Sequence, residues 1–244
     1  MSASLWQVQV RGRASDLEHL ARHFTSSPVK IAKDSQKDGF LYESDSFTAC
    51  SSSEQVLALA DEELAVLSGV LKLVRNSHEP LRSGAVYKPN AAGGQDVFVH
   101  IRETLQVRVE LGEPTITVTD SQGNAVPLTP PPPRTLAIAR LTATDPAIAK
   151  AMRLLAADDA KSWVGMYRIH EVIEAEVGGE HALKKRGWGD LKRFKHSANS
   201  VKVAGDTARH GKELDSPPTH PMSLDEAHAY LRYVLEAWLA SKGV

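Results

Sequence analysis

The order of hydrophobic patterns along this chain predicts an α+β protein, with an N-terminal mixed strand/helix domain followed by a C-terminal four-helix bundle. Three observations carry that prediction. Two-residue alternation of apolar and polar side chains, the strand signature, occurs only before Pro133. Helical stripes interrupt those strands without a regular strand–helix–strand rhythm, which disfavours a doubly wound sheet. Beyond Pro133 only stripes spaced by three and four residues recur. The prolines at 130–133 favour extended polyproline II geometry and mark a stiff linker at 129–134, between an α+β domain at 1–128 and a helical domain at 135–244. With 244 residues, 42% of them hydrophobic, the chain can fill two such cores.

Each element has its own warrant. Trp6, Val8 and Val10 alternate with Gln7, Gln9 and Arg11, so the first strand is half-buried. Ser15 and Glu18 have capping-box spacing, and Leu17, Leu20, Ala21 and Phe24 form the inner face of a short helix. After Pro28 a strand is expected near Val29–Lys33, and Asp38-Gly39 turns the chain into another at Phe40–Glu43. Ser51, Ser52 and Ser53 open a long helix whose stripe of Leu57, Ala60, Leu64, Leu67, Leu71 and Val74 suits a sheet face. Strands follow at about 85–88, 97–111 and 115–119; Glu103 alone breaks the apolar row of the middle one, which implies a bulge or two strands there.

In the second half Asp145 caps a helix with Pro146 at its start, and Ile148, Met152 and Leu155 face inward. The next helix turns Trp163, Met166, Tyr167, His170, Ile173 and Val177 inward and stops at Gly178-Gly179. Residues 188–211 read as one third helix. Its seam is Leu191, Phe194, Ala198, Val201, Gly205 and Ala208, and Lys192, Lys195, Asn199, Lys202, Asp206 and Arg209 occupy a neighbouring face. Ser223 and Glu226 form a capping box for the last helix, with Leu224, Ala227, Leu231, Val234, Leu235 and Trp238 inward.

Charge singles out one stretch. The formal net charge is −1, which argues against a generic nucleic-acid or membrane coat. From Lys184 to Lys212, however, nine basic residues face two acidic ones, a local net of +7. Cys50 is the single cysteine, so an intramolecular disulfide and a thiolate zinc site are both excluded. No apolar run approaches the roughly 18 residues of a membrane span, and the first residues lack a signal-peptide pattern. The expectation is a cytoplasmic protein with no membrane partner. No phosphate-binding glycine loop and no nucleophile elbow occur, and neither a cofactor nor a metal is expected.

The second half resembles a HEPN-type helical domain. The resemblance covers roughly residues 145–242 and rests on a polar-faced helix ending in Ala208-Arg209-His210-Gly211, a short proline-bearing loop, and a final amphipathic helix rich in Ala, Leu and Trp. The first half is similar to domains of uncharacterised bacterial proteins that begin with a Trp-containing strand and a short Asp-Leu helix. The HEPN resemblance implies a helical bundle that dimerises. In the nuclease members it also implies an Arg, four to six residues, then a His near a helix end. Here Arg193 and His196 are separated by two residues, Arg209 and His210 are adjacent, and the match by spacing, Arg13 to His19, lies in the other domain.

Metal-independent RNA cleavage requires a base near the 2′-hydroxyl and cations on the scissile phosphate. The catalytic candidates are His196, Arg209 and His210. The nucleic-acid-binding candidates are Lys184, Lys185, Arg186, Lys192, Arg193, Lys195 and Lys202, with Trp188 placed to stack on a base. Against both stands a simpler role, since Arg and His in a last helical turn already complement the helix dipole. His170, on the apolar stripe, is expected to be a core histidine. His19 and His23 have the i, i+4 spacing of metal ligands but no third partner, and are expected at the surface. The leading expectation is a non-catalytic two-domain protein whose helical half mediates homo-oligomer formation or binds a protein partner. The alternative is an RNA-directed nuclease or nucleic-acid-binding protein that uses the basic third helix.

Overall fold

The computed structural model describes residues 6–34, 39–90, 94–99, 133–209, 212 and 216–244, which belong to two compact units, Met1–Ala137 and Ile138–Val244. The expected strands beyond residue 99, most of the proline linker, Asp38 and His210 lie outside the described residues.

The first unit contains β1 (Gln7–Arg11), α1 (Ala14–His23), β2 (Thr25–Ser26), β3 (Val29–Lys33), β4 (Phe40–Ser44), a 3-10 turn (Asp45–Ala49), α2 (Ser53–Arg75), β5 (Arg82–Pro89) and β6 (Gln95–Phe98). The strands form one sheet in the order β2-β3-β4-β1-β5-β6, each pair antiparallel. Taken in chain order, β1, α1, β3, β4, α2 and β5 make the split βαβ arrangement, with β2 and β6 added at its edges. This is an α+β unit. Register explains its core: Val8 lies opposite Tyr42 and Val86, Tyr42 lies opposite Ile31, and all four are buried on one face. Helix α1 packs against β3 and α2 against β5 and β1, with Leu57, Ala60, Leu64, Leu67 and Leu71 buried as their spacing requires. The opposite face carries a polar ladder in which Gln7 Nε2 donates to Glu43 Oε1 (2.8 Å), beside the Lys30–Glu43 ion pair (3.3 Å).

One capping expectation fails. Helix α1 starts at Ala14 with Arg13 at its N-cap and no side-chain cap, so Ser15 is a buried helical residue. The first turn is set instead by buried Asp16, whose Oδ1 accepts from Arg75 Nε of α2 at 2.8 Å.

The second unit is helical. Helix α3 (Arg134–Thr142) crosses the division between units, followed by α4 (Pro146–Ala156), α5 (Trp163–Glu176), α6 (Glu180–Arg186), α7 (Leu191–Asn199), α8 (Val201–Ala204) and α9 (Leu224–Ser241). Asp145 caps α4, accepting from the N–H groups of Ala147 and Ile148, and Ser223 with Glu226 forms the capping box of α9. Helix α5 packs against α4, α7 and α9. Gly165 permits a close approach here, because a Cβ on it would lie 2.0 Å from the Asp159 carbonyl oxygen.

The expected third helix is corrected. Residues 188–211 are not one helix: α7 stops at extended Ser200 (φ −84, ψ 118), α8 is a single turn, and Gly205–Thr207 is 3-10. The chain then folds back until Arg209 N–H reaches the Ala198 carbonyl at 3.1 Å, although one straight helix would space these residues about 16 Å apart along its axis. The seam survives only through Leu191, Phe194 and Ala198, which are buried, while Gly205 is exposed. Leu224 is also corrected. As the first residue of α9 it precedes the buried stripe and stays 45% exposed.

Candidate functional site

Helices α5, α7 and α9 place their aromatic residues against one another. The Phe194 ring lies 4.8 Å from Tyr230, 5.1 Å from His170 and 6.0 Å from Tyr167. Within this stack His170 is fully buried, as its place on the apolar stripe requires. Its Nε2 is 3.3 Å from Tyr230 Oη, and its Nδ1 is 3.5 Å from Glu174 Oε2, an electrostatic contact longer than a good hydrogen bond. Burial first, and Lys195 second, lower its pKa to about 4. The ring is therefore neutral at pH 7. A base so weak and so enclosed is not poised for proton transfer.

The basic candidates divide into two groups. Four are neutralised within the unit. Lys195 Nζ bridges Glu174 (2.8 Å) and Glu180 (2.7 Å). Burial opposes its charge, but the hydrogen bonds to both carboxylates prevail and raise its pKa. Lys184 pairs with the same Glu180 at 2.6 Å, and the hydrogen bonds from Lys184 and Lys195 push Glu180 down to about 2. Arg209 pairs with Glu171 at 2.7 Å and lies 4.3 Å over the Tyr167 ring. Arg193 is a clamp: Nε donates to the His220 carbonyl (2.9 Å), and one terminal nitrogen donates to the Pro221 carbonyl (2.8 Å) and to both oxygens of Glu226 (2.9 Å).

His196 Nε2 meets the Ser216 carbonyl oxygen at 2.7 Å, so that nitrogen carries the proton and is not a base toward a ligand. Ser197 Oγ accepts from Met222 N–H at 2.8 Å. Successive residues of α7 thus hold segment 216–222 in place. Arg193 and His196 engage this segment, whereas Arg209 engages α5, and the structure does not bring the three to one ligand.

The second group is Lys185, Arg186 and Lys192, all exposed and, among the described residues, in no ion pair. They flank the turn between α6 and α7, where the Arg186 guanidinium lies 5.0 Å from the Trp188 ring. Lys202 is exposed on α8.

The first unit has its own polar cluster. His19 is half-buried, not at the surface as its spacing suggests: Nε2 is 3.0 Å from Thr135 Oγ1, and Arg75 Nη1 approaches Nδ1 at 3.4 Å. Arginine can only donate, so Nδ1 is the acceptor and Nε2 carries the proton toward Thr135. This pair is the reverse of a base activating a hydroxyl, and it ties Thr135 to α1 within the first unit. Burial and then Arg75 lower the His19 pKa to about 4. Glu63 is held by the hydroxyls of Tyr42, Ser44 and Ser46. Burial, and then Glu63, raise the Cys50 pKa, which makes its thiol a poor nucleophile. Among the described residues no cluster of three or more His, Cys, Asp or Glu could hold a metal ion, and no helix is long and apolar enough to cross a membrane.

Compared with protein-family models, curated proteins and solved structures, the chain matches none. One residue that sequence reasoning missed is Tyr233, which sits on the outer side of α9 and is 54% exposed. A Cβ added at Gly189 would be 3.9 Å from Tyr233 Cδ1 and 3.0 Å from the Tyr230 ring, so both rings are close to that turn. No local pattern could have found this contact, because it joins an outward position of one helix to a loop more than 40 residues earlier.

Proposed function

We propose that this is a non-catalytic interaction protein, acting in the cytoplasm, whose helical half supplies the binding surface for self-association or for a protein partner. One observation carries the reading. Arg193, His196 and Arg209, the described residues that a cleavage site would require, have their donors directed at carbonyls and carboxylates of their own unit. The HEPN resemblance is retained as part of the same proposal, in its non-catalytic dimerising form. Light scattering across a concentration series tests it, with a dimer as the expected result. A monomer throughout, together with RNA cleavage above background in chelator, would overturn it.

A second reading, nucleic-acid binding, is favoured by Lys185, Arg186 and Lys192, which are exposed and, among the described residues, in no ion pair. Its mark is an RNA affinity that falls steeply with salt. Charge reversal should be made at Lys185 and Lys192, since Arg193→Glu would break the clamp as well. If no RNA is retained at low salt, this reading is lost.

A further inference from the structure

Lys185, Arg186 and Lys192, in no ion pair among the described residues, and an exposed aromatic residue lie at the turn between α6 and α7. Lys185 and Arg186 end α6, Trp188 and Gly189 form the turn, and Lys192 begins α7 one residue after Leu191. Gly189 adopts φ +82, and a Cβ added there would lie 3.0 Å from the Tyr230 ring and 3.9 Å from Tyr233 Cδ1, so the turn runs close to these two rings of α9. Tyr233 is 54% exposed beside it, and Trp188 is half-buried. The carboxylate in the turn, Asp190, caps α7 by accepting from Arg193 N–H at 3.0 Å. The patch therefore combines two aromatic rings and an arginine, residue types enriched at protein interfaces, with two lysines of the kind found at a solvent-accessible rim.

We propose that this patch, Lys185, Arg186, Trp188, Lys192 and Tyr233, docks an acidic peptide segment of a protein partner through one apolar anchor side chain. The proposal rests on reading the helical half as an interaction module and names its partner by chemistry. A peptide fits better than a nucleic-acid strand because a strand needs successive open ring faces. Here Arg186 already occupies Trp188, which leaves Tyr233 as the open platform. The acidic residues of the peptide pair with Lys185, Arg186 and Lys192 at the rim, and its anchor packs on Tyr233 beside Gly189.

The test is a titration of the full chain, at low salt, with a heptapeptide of phenylalanine flanked by glutamates. The readout is the indole N–H resonance of Trp188. Trp6, Trp163 and Trp238 are 5%, 4% and 1% exposed, so their resonances serve as internal controls. The Trp188 signal should move and the controls should not. Tyr233→Ala, or alanine in place of the peptide's phenylalanine, should weaken binding about tenfold or more. Lys185→Glu with Lys192→Glu should abolish it, and decides the matter if Tyr233→Ala does not fold. No shift of Trp188, binding indifferent to these changes, or an oligothymidylate that competes for the patch at equal or lower concentration would each overturn the proposal. Light scattering of the same samples keeps the two readings apart: a dimer that ignores the peptide sinks this inference alone.

Discussion

At the scale of single residues, His170 and Arg193 have roles that the charge pattern did not suggest. His170 is neutral because burial removes its water, and its lowered pKa has a defined consequence. The unfolded chain binds a proton near pH 6.5 that the folded chain refuses until about pH 4, so stability is lost as pH falls through that window. The effect has an upper bound of about 3 kcal/mol. Urea unfolding at pH 7, 5 and 4 should show this decline, and His170→Phe should make it shallower by the share that His170 contributes. Arg193→Ala releases two carbonyls and Glu226 from one side chain, and should lower stability by about 1–2 kcal/mol in the same assay. Arg193→Lys should recover only part of the loss, because an ammonium cannot reproduce the planar fork. The burial of His170 was legible from its stripe. The partners of Arg193 were not, since they lie 27 to 33 residues later in the chain.

At the scale of elements, two capping boxes with the same sequence spacing had opposite fates. Ser223 Oγ accepts from Glu226 N–H, and Glu226 Oε2 accepts in turn from Ser223 N–H. Ser15 Oγ is buried and makes no hydrogen bond to any described residue. Ser223→Ala should therefore cost about 1 kcal/mol, whereas Ser15→Ala should be neutral or stabilising, since it removes a buried hydroxyl without a partner. A thermal melt of each variant separates the two cases. Gly165→Ala should be far worse, by about 3 kcal/mol or more, because its methyl group meets a backbone carbonyl that cannot swing away. The amphipathic periods of α2, α4, α5 and α9 were legible because each buries one continuous stripe. The end of α7 was not: the stripe formally continues past Ser200, and the turn back onto Ala198 depends on tertiary contacts.

At the scale of the whole molecule, charge is divided between the halves, −4 over residues 1–133 and +3 over 134–244. Each unit also encloses one histidine whose pKa is lowered to about 4, His19 in the first and His170 in the second. Both units should accordingly lose stability over the same acid window. Calorimetric scans at pH 7 and pH 4.5 should show every unfolding transition shifted downward at the lower pH, and a transition that stays fixed would contradict the environment assigned to one of the two rings.

By itself the sequence determined the α+β class, most element positions and the inner face of most helices, because these follow from side-chain period and capping chemistry within a few residues. It also located the basic region, since net charge is additive along a chain. Only the tertiary structure decided which of those charges find carboxylates. Lys195 and Arg209 find Glu174, Glu180 and Glu171 on other helices, while Lys185, Arg186 and Lys192 are left at a turn beside an aromatic ring from α9. An ion pair depends on distance in space, and no local period encodes it.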